Sequence, residues 1–163
     1  PMGHEWFQLY LNGIHISNAG VKEYDVAKKK ISENVEKIYN SISLLLENLN
    51  LKMTDCFVMG FSQGGMMAFE LGQILQNQLA GLALISSRII SKEHKPNYAF
   101  LKTPIFISHG AQDAVLPISN YNESLEVLKK YNYNYENYLI ESDEHTMSQE
   151  TITFFQNFIK KNI

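Results

Sequence analysis

Gly60-Phe61-Ser62-Gln63-Gly64 constrains the fold of this chain more than any other segment, because a short apolar run precedes it and a helix-forming run follows. Cys56-Phe57-Val58-Met59 predicts a buried strand, and Met66 to Ile74 predicts a helix with few breakers. Gly-x-Ser-x-Gly between a strand and a helix is the sequence of a nucleophile elbow. The serine sits on a strained turn, and the small residues around it let strand and helix approach closely.

The rest of the chain repeats that alternation. From Val26 to Leu49, Val26, Ile31, Val35, Ile38, Ile42, Leu45, Leu46 and Leu49 fall on one face of a long amphipathic helix. Asp25 with Lys29 and Glu33 with Lys37 add i,i+4 pairs on its wet side, and Leu51 to Asp55 links the helix to the strand before the elbow. Gly81 to Ile85 and Pro104 to Ser108 are continuous apolar runs, as expected of strands buried on both faces. A polar connection, Ser91 to Asn97, separates them. Ile118 to Tyr131 reads as a helix, Tyr135 to Ile140 as a strand and Thr151 to Ile159 as a closing helix. The expected fold class is α/β: a mostly parallel sheet with helices on both faces, in a single domain over residues 1–163.

Placed on that sheet, three polar residues gain meaning. Ser62, Asp113 and His145 each follow a different predicted strand, so all three fall at the same edge of a parallel sheet. Their chain order, serine then acid then histidine, is that of an α/β-hydrolase triad. A serine hydroxyl is a weak nucleophile until an imidazole takes its proton. The imidazole needs a carboxylate to hold its tautomer. The backbone N–H of Gln63, at the start of the elbow helix, is placed to donate to an oxyanion. Asp143 and Glu141 remain alternative acids. His109 reads as a packed strand-end residue, whereas His4, His15 and His94 read as surface. Met59, Met66 and Met67 read as core, with Met66 and Met67 also candidates to line an acyl pocket.

Composition removes several other functions. The 163 residues carry a net charge of −3, which recruits neither nucleic acid nor an anionic membrane. Lys28-Lys29-Lys30 lies in a helical pattern and reads as a solvated face. No apolar stretch approaches the ~20 residues of a membrane span, and Pro1 to Gln8 lacks the order of a signal peptide. Cys56 is the sole cysteine, so no internal disulfide forms; it reads as a small core residue in a reducing, cytoplasmic setting. Neither a metal-ligand cluster nor a glycine-rich phosphate loop is present, so the expected chemistry uses no metal and no cofactor.

Gly60-Phe-Ser-Gln-Gly-Gly65 together with His109-Gly-Ala-Gln-Asp-Ala-Val-Leu-Pro117 resembles the phospholipase/carboxylesterase family, which includes acyl-protein thioesterases. Pro1-Met-Gly-His-Glu-Trp-Phe7 is similar to that family's stretch before its long helix, where a Trp-Phe pair lies near the substrate channel. The resemblance covers essentially the whole chain. It implies a metal-independent serine hydrolase with Ser62, Asp113 and His145 as its triad, and Trp6 and Phe7 near the substrate. The implied partner is a small acyl ester or thioester, on an acylated protein or a lysophospholipid. Glu144 departs from the family's usual glycine before the histidine and places an extra carboxylate there.

The family also opens with several strands and a Leu-His-Gly loop that supplies another oxyanion donor, and this chain starts beyond them. It is therefore expected to be a fragment or a truncated relative. Loss of one oxyanion donor costs ~10²–10³ in turnover. The resulting bare sheet edge invites self-association. Two other functions stay open on these grounds: an impaired remnant acting as an interaction module, and a peptidase or lipase of the same fold.

Overall fold

A computed structural model describes residues 4–163, so Pro1, Met2 and Gly3 of the opening stretch lie outside the described residues. The first secondary-structure element among the described residues is a small hairpin, β1 (Tyr10–Leu11) and β2 (Ile14–His15), which the sequence reading passed over. Its turn is Asn12-Gly13, with φ of 52° and 79°. Asn-Gly tolerates two consecutive left-handed residues, and that turn matches the twist of the paired strands.

Helix α1 (Val21–Asn48) starts five residues before the apolar pattern suggested. Glu23 accepts from the Gly20 N–H at 2.8 Å and so closes its first turn. The buried stripe runs through Tyr24, Ala27, Ile31, Val35 and Leu46, with Ile38, Tyr39 and Ile42 half-covered. Val26, Leu45 and Leu49, expected on the buried face, are exposed instead. Tyr24 and Ala27 are what the core selects, and that choice rotates the stripe away from Val26.

A single 3-10 turn at Met53–Asp55 leads into β3 (Phe57–Phe61). The order continues α2 (Gln63–Gln73), β4 (Gly81–Ile85), α3 (Tyr98–Lys102), β5 (Ile105–Gly110), α4 (Ile118–Lys130), β6 (Tyr135–Ile140) and α5 (Gln149–Lys161). Strands β3-β4-β5-β6 form one fully parallel sheet in that order. Helix α3 was not anticipated; Asn97 caps it by accepting from the Phe100 N–H at 2.8 Å.

The sheet divides the core into two clusters. Leu82 and Leu84 of β4 and Ile105 and Ile107 of β5 face a large cluster shared with α1, α2, α3 and α4. Ala83, Ile85 and Phe106 face the opposite side, where Phe158, Phe154 and Phe155 of α5 cover them. Helices therefore flank both faces, as expected. Two histidines depart from their expected surface position. His94 is half-buried against Phe69, Tyr131 and Tyr133, and His15 is partly covered by Tyr10. Burial holds His94 below the ordinary histidine pKa. Met59, expected in the core, is exposed on the outer strand of the sheet.

Candidate active site

Because the four sheet strands are parallel, the residues that follow them emerge along one edge. Ser62 follows β3, Asp113 follows β5 and His145 follows β6. The ladder extends past the strands there. Ser62 N–H donates to Ile85 O, and Ser86 N–H donates to Ser108 O, both at 2.9 Å.

Ser62 has φ 53° and ψ −121°, a backbone state that non-glycine residues seldom occupy. It is also the N-cap of α2, where a serine oxygen ordinarily accepts from the first helical turn. Here it makes no capping bond. Its Oγ lies 2.9 Å from His145 Nε2 instead. His145 Nδ1 lies 2.7 Å from Asp113 Oδ2. A carboxylate only accepts, so Nδ1–H donates to it and Nε2 is left to accept from the serine hydroxyl. Asp113 has a fully buried side chain, and its Oδ1 accepts from the Val115 and Leu116 N–H groups at 2.9 and 2.8 Å. Neither alternative acid contacts the imidazole: Asp143 is buried with Oδ2 unpartnered, and Glu141 is exposed.

Close backbone approach holds the elbow. A Cβ on Gly60 would strike the Gly64 carbonyl, and one on Gly65 would lie 2.5 Å from Ser87 Oγ. Gly64 itself has open space at that position, so the second close approach belongs to Gly65, one residue beyond the five-residue motif. Ser87 Oγ donates to Ser62 O at 2.6 Å, and Ser86 Oγ to Thr146 O at 2.9 Å. Those two serines tie the elbow and the histidine loop to the end of β4. Sequence reading missed both, although Ser-Ser directly after a buried apolar strand was their signal. Phe61 was missed too; its ring lies 4.9 Å from that of His145.

His109 lies beside Asp113. It is 1% exposed and stacks on Tyr121, with Nε2–H donating to Leu116 O at 2.8 Å. Burial pushes it below the ordinary histidine value, so it stands neutral 3.6 Å from Asp113 Oδ2. Glu144 is exposed, and its main-chain carbonyl accepts from Thr146 N–H.

Of the remaining candidates, Gln63 begins α2, and its N–H takes part in none of the backbone hydrogen bonds of the described residues. Phe7 is buried edge-on against Tyr24, while Trp6 is 42% exposed. Both line a cavity of about 390 Å³ with Leu11, Val26 and Ala27. Met66 and Met67 are 0% and 1% exposed in the main core and line neither that cavity nor a second one of about 280 Å³ between α1 and α2. Both belong to the apolar cluster that α1, α2 and the sheet share. Among the described residues no His/Cys/Asp/Glu group is arranged to hold a metal, and no helix is long and apolar enough to cross a membrane.

A serine, histidine and aspartate joined at the C-terminal edge of a parallel sheet, with the serine on a strand–helix elbow, is the architecture of an α/β hydrolase. The phospholipase/carboxylesterase family model matches residues 1–163, and the chain belongs to that family of esterase-type hydrolases. It is similar to acyl-protein thioesterase 1 of Saccharomyces cerevisiae, 28% identical over 158 residues that cover 88% of this chain and 67% of that protein. The enzyme of the same name from Debaryomyces hansenii is 23% identical, with 91% of this chain and 68% of that protein covered. This chain thus spans about two thirds of the length of those relatives. In fold it resembles Arabidopsis thaliana SOBER1, with a TM-score of 0.79 at 20% identity over 97% of this chain and 73% of that one. The Bacillus cereus carboxylesterase gives 0.78 at 14% identity, over 98% and 69% of the two chains.

Proposed function

We propose that this chain, acting as one catalytic unit, hydrolyses carboxylic esters or thioesters through an acyl-enzyme on Ser62. The carrying observation is the continuous contact from Ser62 Oγ to His145 Nε2 at 2.9 Å and from Nδ1 to Asp113 Oδ2 at 2.7 Å. His145 takes the hydroxyl proton as Oγ bonds to the acyl carbon, and the carbonyl electron pair moves to oxygen. The Gln63 N–H donates to that oxyanion at the positive end of α2. Collapse breaks the bond to the leaving alcohol or thiol, which leaves with the proton from Nε2. Water then attacks the acyl group with His145 again as base, releasing the carboxylic acid and restoring Ser62. Asp113 keeps the imidazole in the required tautomer throughout.

The similarity to acyl-protein thioesterases supports an acyl group on a protein as substrate, and membership of the phospholipase/carboxylesterase family keeps a lysophospholipid as the alternative. The single cysteine accords with a cytoplasmic setting. Intact-mass analysis after treatment with a fluorophosphonate tests the reading. One adduct is expected on the wild-type chain and none on Ser62→Ala; a folded chain that takes no adduct overturns it.

A second reading, as an interaction module, is favoured by β3. That strand pairs only with β4 among the described residues and exposes Met59 and Phe61. A monomer with full esterase turnover excludes it.

A further inference from the structure

Ile85, Ser86 and Ser87 follow one another at the end of β4, and each bonds the main chain of a segment that carries a triad residue. Ile85 O accepts from the Ser62 N–H at 2.9 Å, and Ser87 Oγ donates to the Ser62 carbonyl at 2.6 Å. The N–H and the carbonyl of the nucleophile are thus both held from the same strand end. Ser86, between those two residues, donates through Oγ to the Thr146 carbonyl at 2.9 Å, one residue past His145. A carbonyl only accepts, so both hydroxyl protons are committed to these bonds.

The backbone leaves its regular form at this point. Ser86 has φ 43°, in the left-handed region that favours glycine. Along an extended strand, successive side chains point to opposite faces, and the left-handed residue ends that alternation directly after Ile85. Both serines are 1% exposed. A Cβ on Gly65 would lie 2.5 Å from Ser87 Oγ, so that hydroxyl occupies the space the glycine leaves open. Ser86 is itself fixed to β5, because its N–H donates to Ser108 O at 2.9 Å. The loop between β6 and α5 carries His145. Among the described residues, one further side chain from another segment bonds the main chain of that loop, Gln112 Nε2 to Glu141 O at 3.3 Å. That bond lies four residues before His145, whereas the Ser86 bond lies one residue after it.

We propose that Ser86 and Ser87 are positioning residues that together set the Ser62–His145 separation, one holding the histidine loop and the other the nucleophile elbow from a single stretch of backbone. The proposal rests on the hydrolase reading above. Each hydroxyl acts through the main chain of its partner. Proton transfer from Ser62 Oγ to His145 Nε2 depends on their 2.9 Å contact, and a misplacement of ~1 Å can cost ~10²-fold in rate.

Turnover of p-nitrophenyl butyrate tests this, at a temperature where circular dichroism shows every variant folded. Ser86→Ala and Ser87→Ala are each expected to lower kcat about 10- to 100-fold and to leave KM within about twofold, since substrate still binds but meets a displaced nucleophile or base. Ser86→Gly separates position from fold. Glycine takes φ 43° without strain, so this variant should melt no lower than Ser86→Ala and yet lose as much kcat. Hydrogen exchange should quicken across residues 141–148 in Ser86→Gly and across residues 61–66 in Ser87→Ala. A kcat within about twofold of wild type in folded Ser86→Gly or Ser87→Ala overturns the proposal, as does a loss carried by KM alone. A folded wild-type chain that neither turns over the ester nor takes a fluorophosphonate overturns the underlying hydrolase reading, while hydrogen exchange still decides whether the two hydroxyls hold the loop and the elbow.

Discussion

Strands β3 and β4 lie side by side in register, each five residues long, and are built in opposite ways. Every residue of β4 is buried, and its Leu82, Ala83, Leu84 and Ile85 are each 0% exposed. Its neighbour buries only Gly60 and leaves Met59 47% and Phe61 39% exposed. Yet the exposed strand ends in the strained serine. Apolar burial anchors β4, whereas the end of β3 is held by backbone contact and by hydrogen bonds from the end of β4. Stability and the geometry of the site are thus supplied by adjacent strands through different interactions.

That contrast can be broken by mutation. Leu84→Ala in β4 should be the most costly change, at about 2–5 kcal/mol in denaturant unfolding, because a core this closely packed leaves a cavity. Gly60→Ala in β3 should cost ~1–3 kcal/mol by overpacking, since the new methyl meets main-chain atoms of Gly64 and Gly65 that cannot rotate away. It should also slow fluorophosphonate labelling more than Leu84→Ala does at matched stability. An unperturbed Gly60→Ala would mean that the elbow is not held by that approach.

Acid should act through His109 and His94. His109 and His94 both lie below the ordinary value of 6.5 through burial, so the unfolded chain binds protons at a higher pH than the folded one. Stability should be flat above about pH 6.5 with respect to these groups and should fall as the pH drops below it. His109→Gln should lessen that loss in thermal melts taken as a function of pH; an equally steep loss would remove His109 from the account.

The smallest effect is expected at Met59. Met59→Ser should change the stability of the monomer by no more than ~0.5 kcal/mol, while lowering any self-association seen by sedimentation. A large loss of stability would show that the exposed face of β3 is covered in solution.

Much of this was legible from residue pattern. The four sheet strands, the helix after the elbow and the order of Ser62, Asp113 and His145 follow from apolar runs punctuated by glycine and polar loops. Parallel connectivity then puts strand ends on one edge without further information. The register of α1 was less legible, because Val26 and Tyr24 are both apolar enough to face inward and only packing against α2 chooses between them. The β1–β2 hairpin was missed because two-residue strands carry almost no periodic signal, although Asn12-Gly13 marked the turn.

The amino-acid sequence by itself determined the class of fold, the elbow and the three residue types that follow three strands, since each is written in local pattern. Tertiary structure alone decided that His145 reaches Asp113 rather than Asp143, that Ser86 and Ser87 brace the site, and that the amide of Gln63 holds Trp6 and Phe7. These are contacts between segments 25 to 60 residues apart. Local sequence specifies which groups are available, but their distances exist only once the sheet has brought the strand ends together.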